Sequence, residues 1–154
     1  MLYSCKGGYS FTGASISPEN KTFCVEQAIN RARTVQSTLA SEITNALISK
    51  ISSSTSLVGV NSGADVTFKE TITAYSVTPV AIQGNDKAAK NRLSITVDVS
   101  CTNKQDKKMN FTQSFTRYKD YDSSLSINDV QESLISQIKE ELVEDIFNKA
   151  FVNW

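Results

Sequence analysis

The chain of 154 residues contains no histidine. That absence excludes Ser-His-Asp and Cys-His catalysis within it. It also removes the commonest zinc ligand and the usual general base near neutral pH. Net charge is absent too, with 16 Lys and Arg against 16 Asp and Glu. A nucleic-acid binder needs a basic footprint, so the overall balance argues against that class while leaving local patches open. No run approaches the ~20 consecutive apolar residues of a membrane span, so any attachment to a membrane is expected to be covalent or through a partner. Three cysteines leave at least one thiol outside any disulfide scheme within the chain. No Gly-rich phosphate loop is present, because no helix pattern follows Gly7-Gly8.

The length suits one domain. Such a chain buries roughly 70% of its unfolded surface and needs no covalent staple to fold. Residues 1–21, rich in Gly, Ser and Thr, read as a tether, and residues 22–154 as a single domain. "TFCVEQAI" reads as a short strand, in which Phe23, Val25 and Gln27 alternate with Thr22, Cys24 and Glu26. "TLASEITNALISKI" predicts a helix over 38–51. Leu39, Ile43, Ala46, Leu47 and Ile51 share one face, Ser37 or Thr38 caps it, and "SSSTS" ends it.

Three longer strands follow. In "ADVTFKETITAYSVTPVAI", Val66, Phe68, Glu70 and Ile72 share a face. The phase then slips toward Tyr75 and Val77, which predicts a bulge or a sheet rim near Tyr75. Pro79 predicts that the ladder stops there or lies at an edge. In "RLSITVDVSC", Leu93, Ile95, Val97, Val99 and Cys101 alternate cleanly with Ser94, Thr96, Asp98 and Ser100. In "MNFTQSFTRY", Met109, Phe111 and Phe115 oppose Thr112, Ser114 and Thr116. The short polar connectors fit antiparallel hairpins. From about Ser126 a long helix begins at "SIND", which resembles a capping box. Its apolar stripe is Val130, Leu134, Ile138, Leu142 and Ile146, widened by Ile127, Ile135, Val143 and Phe147. Its acidic excess suits docking on a sheet rather than on anionic lipid.

The expected fold class is α+β. It is a two-layer sandwich in which an antiparallel four-stranded sheet carries two helices on one face, in the order β-α-β-β-β-α. The other face, dense in Thr and Ser, has no helix to cover it.

Asp120 and Asp122, and the group Glu140, Glu141, Glu144 and Asp145, are the carboxylates that could hold a metal or do acid-base work. The plainer reading is a turn and a solvated helix face, with no enzyme activity and no metal. Cys24 and Cys101 fall on opposite strand faces, which favours two small buried thiols over a bridge. Lys87, Lys90 and Arg92 sit in or beside one connector, and Lys104, Lys107 and Lys108 in the other. Clustered cations suit phosphorylated sugar head groups, and ordinary solvated turn lysines are the alternative. The two groups are neighbours or lie at opposite ends of the sheet; both arrangements are open.

Cys5 is the remaining feature. It is either a stray thiol or an attachment point. Leu2 at minus three, Ser4 at minus one and the Gly-rich continuation resemble the lipobox of bacterial lipoproteins, whose cysteine is diacylated. On that resemblance the chain begins inside a truncated signal segment, and a covalent lipid on Cys5, palmitate included, is the only non-protein group expected. No cofactor is expected.

The lipobox-like cysteine is followed by "YSFTGASI", "TLASEITNAL", "ITAYSVTPVAIQGNDKAAKNRLSITV", "NFTQSFTRYKDYDSS" and "LVEDIFNKAFVNW". Together these resemble the Bacteroidetes branch of the LPS-assembly lipoprotein family, the LptE type. The resemblance implies a non-enzymatic lipoprotein anchored on the periplasmic face of the outer membrane. Such a protein plugs an LptD-type β-barrel translocon, assists its assembly and supports lipopolysaccharide transport to the cell surface. It implies lipopolysaccharide contact through basic residues, for which Lys87, Lys90, Arg92, Lys107 and Lys108 are the candidates. The alternative is a lipid-anchored periplasmic ligand-binding module with no barrel partner.

Overall fold

A computed structural model describes residues 16–33, 36–81 and 89–152. The elements, in chain order, are β1 (Thr22–Val25), β2 (Ile29–Asn30), α1 (Leu39–Ser54), β3 (Val58–Gly59), β4 (Val66–Val80), β5 (Lys90–Asn103), β6 (Phe111–Asp122) and α2 (Ile127–Phe151). A single 3-10 turn, Lys107–Met109, lies between β5 and β6.

The sheet has six strands in the order β3-β1-β4-β5-β6, with β2 pairing beside β1 on the same edge of β4. It is mixed. β1 runs parallel to both β3 and β4, and β2 runs parallel to β4. Only the β4-β5-β6 meander is antiparallel. The expectation of four antiparallel strands is therefore corrected. Strand β1 returns to β4 through α1, and a helical crossover brings the next strand back parallel. β2 and β3 are two residues each, too short to carry any alternation.

Long alternating segments behave as their patterns dictate. Leu93, Ile95, Val97, Val99 and Cys101 of β5 are all buried, while Ser94, Thr96, Asp98 and Ser100 are not. In β4 the register slips between Ile72 and Ala74, leaving Thr73 as the extra residue. This returns Tyr75 to the buried face (8% exposed). Pro79 continues the ladder opposite Asn91, on a stretch of β4 that has β5 on one side and, among the described residues, no strand on the other. An edge tolerates a residue with no N–H.

Both helices cover the inner face. In α2, Leu134, Ile135, Ile138, Leu142, Val143, Ile146, Phe147, Ala150 and Phe151 are buried. They join Phe23, Phe68, Ile72, Val97 and the α1 residues Leu39, Ile43, Leu47 and Ile51 in one core. Phe147 and Phe151 meet at 5.2 Å between ring centroids, and Phe151 meets Phe68 at 5.9 Å. Each large side chain so enclosed contributes roughly 1.5–3 kcal/mol before entropy is subtracted. Ile16 packs against this core and Asn20 is buried, so chain ahead of β1 already belongs to it.

Helix ends differ slightly from expectation. α1 runs three residues into the serine run and stops at Thr55, whose N–H and Oγ1 both donate to the Ile51 carbonyl (3.0 and 2.7 Å). Thr38 precedes α1 without a side-chain cap. Ser126 caps α2 by accepting from the Asn128 N–H at 3.3 Å.

Candidate functional site

The outer face of the sheet is the largest feature that the core does not explain. Register brings its residues into cross-strand rows. Thr67 faces Thr102, Ser100 faces Thr112, and Ser76 faces Ser94. Asp98 lies between Thr71 and Ser114, and Thr96 between Ala74 and Thr116. Ser114 donates to Asp98 Oδ1 at 2.5 Å, and the Thr96 and Thr116 hydroxyls lie 2.8 Å apart. β-branched threonine holds the pleat while its hydroxyl faces outward, so the strands stay regular without an apolar cover. The result is a broad surface rich in hydroxyls that neither described helix covers.

The two ends of the sheet carry different charge patterns. β4 ends and β5 begins at one pole, here called distal. β5 ends and β6 begins at the other, called proximal. A 14-residue β5 separates them by roughly 40 Å. The two candidate cation groups therefore lie at opposite ends, which settles the alternatives left open above. Lys87, like Cys5, lies outside the described residues.

At the distal pole Arg92 is answered, while Lys90 and Arg33 are exposed and form no salt bridge among the described residues. Arg92 donates from Nε to Asp120 Oδ1 (2.7 Å) and from Nη2 to Oδ2 (3.1 Å). Its guanidinium lies 3.8 Å from the Tyr118 ring centroid. The hydrogen bonds to Asp120 push the Arg92 pKa up, and the same bonds from Arg92 hold Asp120 below the usual carboxylate range. Asp122 is lowered by its bonds with Ser124, backbone first, and in small part by Lys90.

At the proximal pole Lys104, Lys107 and Lys108 are exposed. The turn beneath them is fastened. Asn103 Oδ1 accepts from the Gln105 and Asp106 N–H groups (2.9 and 3.0 Å), and Asp106 accepts from the Lys108 N–H at 3.1 Å. Asp65 ties the turn to the start of β1. Its Oδ2 accepts from Lys21 N (2.8 Å), Thr22 N (3.1 Å) and Thr22 Oγ1 (3.2 Å), and its Oδ1 from Gln105 Nε2 (3.1 Å). The bond from the Lys21 backbone leads in lowering its pKa to about 2. No spacing rule in the sequence points to Asp65, because its partners are 40 or more positions away.

Three of the four carboxylates in the acidic group of α2 are engaged in ion pairs. Asp145 accepts from Arg117 Nε at Oδ2 (2.6 Å) and from Nη2 at Oδ1 (2.7 Å), Glu141 pairs with Lys119, and Glu144 pairs with Lys50 at 2.6 Å. These carboxylates fasten α2 to β6 and α1. Among the described residues no three His, Cys, Asp or Glu side chains are placed to hold a metal. Cys24 and Cys101 are free and buried. Cys24 pairs in register with Thr67 on the outer set, and Cys101 with Phe68 on the inner set. Burial pushes the Cys101 thiol up to about 12. Glu70 is the anomaly of the core. It is 2% exposed, neither carboxyl oxygen has a hydrogen-bond partner, and desolvation raises its pKa to about 7.

Three solved structures share this architecture at low identity. The hypothetical protein CT253 from Chlamydia trachomatis superposes with a TM-score of 0.57 at 9% identity, over 85% of this chain and 98% of that one. An uncharacterized lipoprotein B from Nitrosomonas europaea gives 0.55 at 12%, over 82% and 79%. The rare lipoprotein B from Shewanella oneidensis gives 0.51 at 11%, over 82% and 89%. At these identities the likeness is one of fold. A search of curated proteins found no match. The profile of the LptE family, described as lipopolysaccharide-assembly, matches residues 20–150. That span takes in every strand and all but the last residue of α2, and the chain therefore belongs to the LptE lipopolysaccharide-assembly family.

Proposed function

We propose that the protein is an outer-membrane lipoprotein, acylated on Cys5, that sits within an LptD-type β-barrel and supports lipopolysaccharide transport. The family supports a non-enzymatic role in lipopolysaccharide assembly. The observation that carries the barrel reading is the hydroxyl-covered outer sheet face. A surface rich in Thr and Ser, which neither described helix covers, matches the hydrated, polar interior of a large barrel.

The mechanism on this reading is spatial. The domain occupies the lumen, its six-stranded sheet supplies a stiff wall, and its polar face exchanges water-mediated hydrogen bonds with lumen side chains. No step needs a nucleophile or a general base. The core between sheet and helices is filled by large side chains, Phe23, Phe68, Phe147 and Phe151 among them, which disfavours the alternative of a ligand held between the layers.

Two measurements test the proposal. Affinity purification from detergent-solubilised native envelopes is expected to bring down a large outer-membrane barrel protein in stoichiometric amount. Intact mass of the mature protein is expected to show Cys5 as its first residue, carrying acyl chains. A lone, unmodified species recovered from those envelopes would contradict both parts.

A further inference from the structure

The topology fixes which pole of the domain faces the anchor. The chain enters β1 at Thr22, beside Asp65 and Gln105, which is the proximal pole. Only 10 residues lie between Cys5 and Ile16, a stretch that reaches at most about 40 Å. The same pole gathers Lys21, Lys104, Lys107 and Lys108, all exposed. Lys149 joins them, with Nζ 5.8 Å from the ring centroid of Phe111 at the start of β6. Among the described residues none of these five lysines forms a salt bridge, nor do Arg31, Arg33 and Lys90 elsewhere, whereas Lys50, Lys69, Arg92, Arg117, Lys119 and Lys139 all do.

Among the described residues three carboxylates lie at this pole. Glu19 precedes the first strand, while Asp65 and Asp106 accept backbone amides. They leave an excess of cations, presented by a turn whose backbone is already fastened. A fastened turn loses little conformational freedom on binding.

From this placement we infer that the proximal pole is a docking surface for the anionic phospholipid headgroups of the leaflet that holds the anchor. The membrane is set by the proposed acylation of Cys5, so the inference rests on that reading. The surface itself works without it. Headgroup phosphates attract Lys104, Lys107 and Lys108 together and hold the domain upright, with the β1-to-β4 direction pointing away from the membrane. Each lysine that reaches the anionic surface strengthens binding by about fivefold at low salt. Two contacts then act together, the covalent one holding the domain at the leaflet and the electrostatic one setting its orientation.

The test uses the 154-residue chain produced without acylation and extruded vesicles. One set is pure phosphatidylcholine, and the other contains about 30% phosphatidylglycerol. Flotation in about 50 mM salt is expected with the anionic vesicles only, and is expected to vanish at about 0.5 M salt. The Lys104→Gln, Lys107→Gln, Lys108→Gln variant is expected to bind on the order of a hundredfold more weakly. The distal-pole variant Arg33→Gln, Lys90→Gln is expected to bind like the parent. All these positions are exposed, and an unchanged melting temperature verifies the fold. Equal binding to neutral vesicles, no binding to anionic ones, or an equal loss in the distal variant would each overturn the inference. Acylated Cys5 in the native envelope together with failed flotation would leave the anchor standing and remove the docking surface alone.

Discussion

Single residues carry opposite pH signatures. Glu70 is buried among apolar side chains with both oxygens unpartnered, and its pKa rises from 4.5 to about 7 through desolvation. The folded state therefore holds this proton more tightly than the unfolded chain does. Its stabilising effect is complete below pH 4.5 and is lost as pH rises through 7. Glu70→Gln is expected to flatten that limb, shrinking the loss of unfolding free energy between about pH 5 and pH 8 by roughly 2–3 kcal/mol in denaturant titrations. An unchanged slope would mean that the carboxylate finds water. Asp65 behaves the other way. Its pKa is lowered to about 2, so its contribution is present above 3.8 and lost as pH falls through 2. Asp65→Ala removes the acceptor of two backbone amides, and at pH 7 it is expected to lower the melting temperature measurably. Position 70 is legible as an inward-facing residue from strand alternation alone. Its lack of a partner is a property of tertiary packing, and no local pattern encodes that.

At the level of elements, the apolar stripe of α2 outweighs its ion pairs. Ile138 is fully buried, and Ile138→Ala is expected to cost about 2–5 kcal/mol in chemical unfolding. Arg117 and Asp145 make two short bonds yet remain partly exposed, so a double-mutant cycle is expected to return a coupling below about 1 kcal/mol. A larger coupling would make the charged seam, not the stripe, the main fastening of α2. The same contrast explains what the sequence reveals. β5 and α2 repeat one period over many residues, so their faces are readable residue by residue. β2 and β3 offer two residues each, and the parallel pairing of β1 with β4 depends on a crossover rather than on side-chain alternation. The slip near Tyr75 is visible as a phase change, and the structure assigns it to Thr73.

For the whole molecule, the division of labour is between faces and poles. The inner face buries a core, the outer face remains polar, and the chain enters at the lysine-bearing proximal pole. The uncovered Thr/Ser face is legible in the sequence because the two helices are already committed to the inner face. The separation of Lys90 and Arg92 from Lys107 and Lys108 is not legible, since it follows from which ends of the hairpins abut. The central claim is that the outer face lines up against the inner wall of a barrel. Photocrosslinking in native envelopes tests it most directly, with a photoreactive residue placed at Thr96 or Thr116 on the sheet and, for comparison, at Glu132 on α2. The account predicts an adduct with a large outer-membrane barrel protein from both sheet positions, far stronger than from Glu132. Adducts from Glu132 alone, or sheet positions that capture no barrel protein, would contradict it.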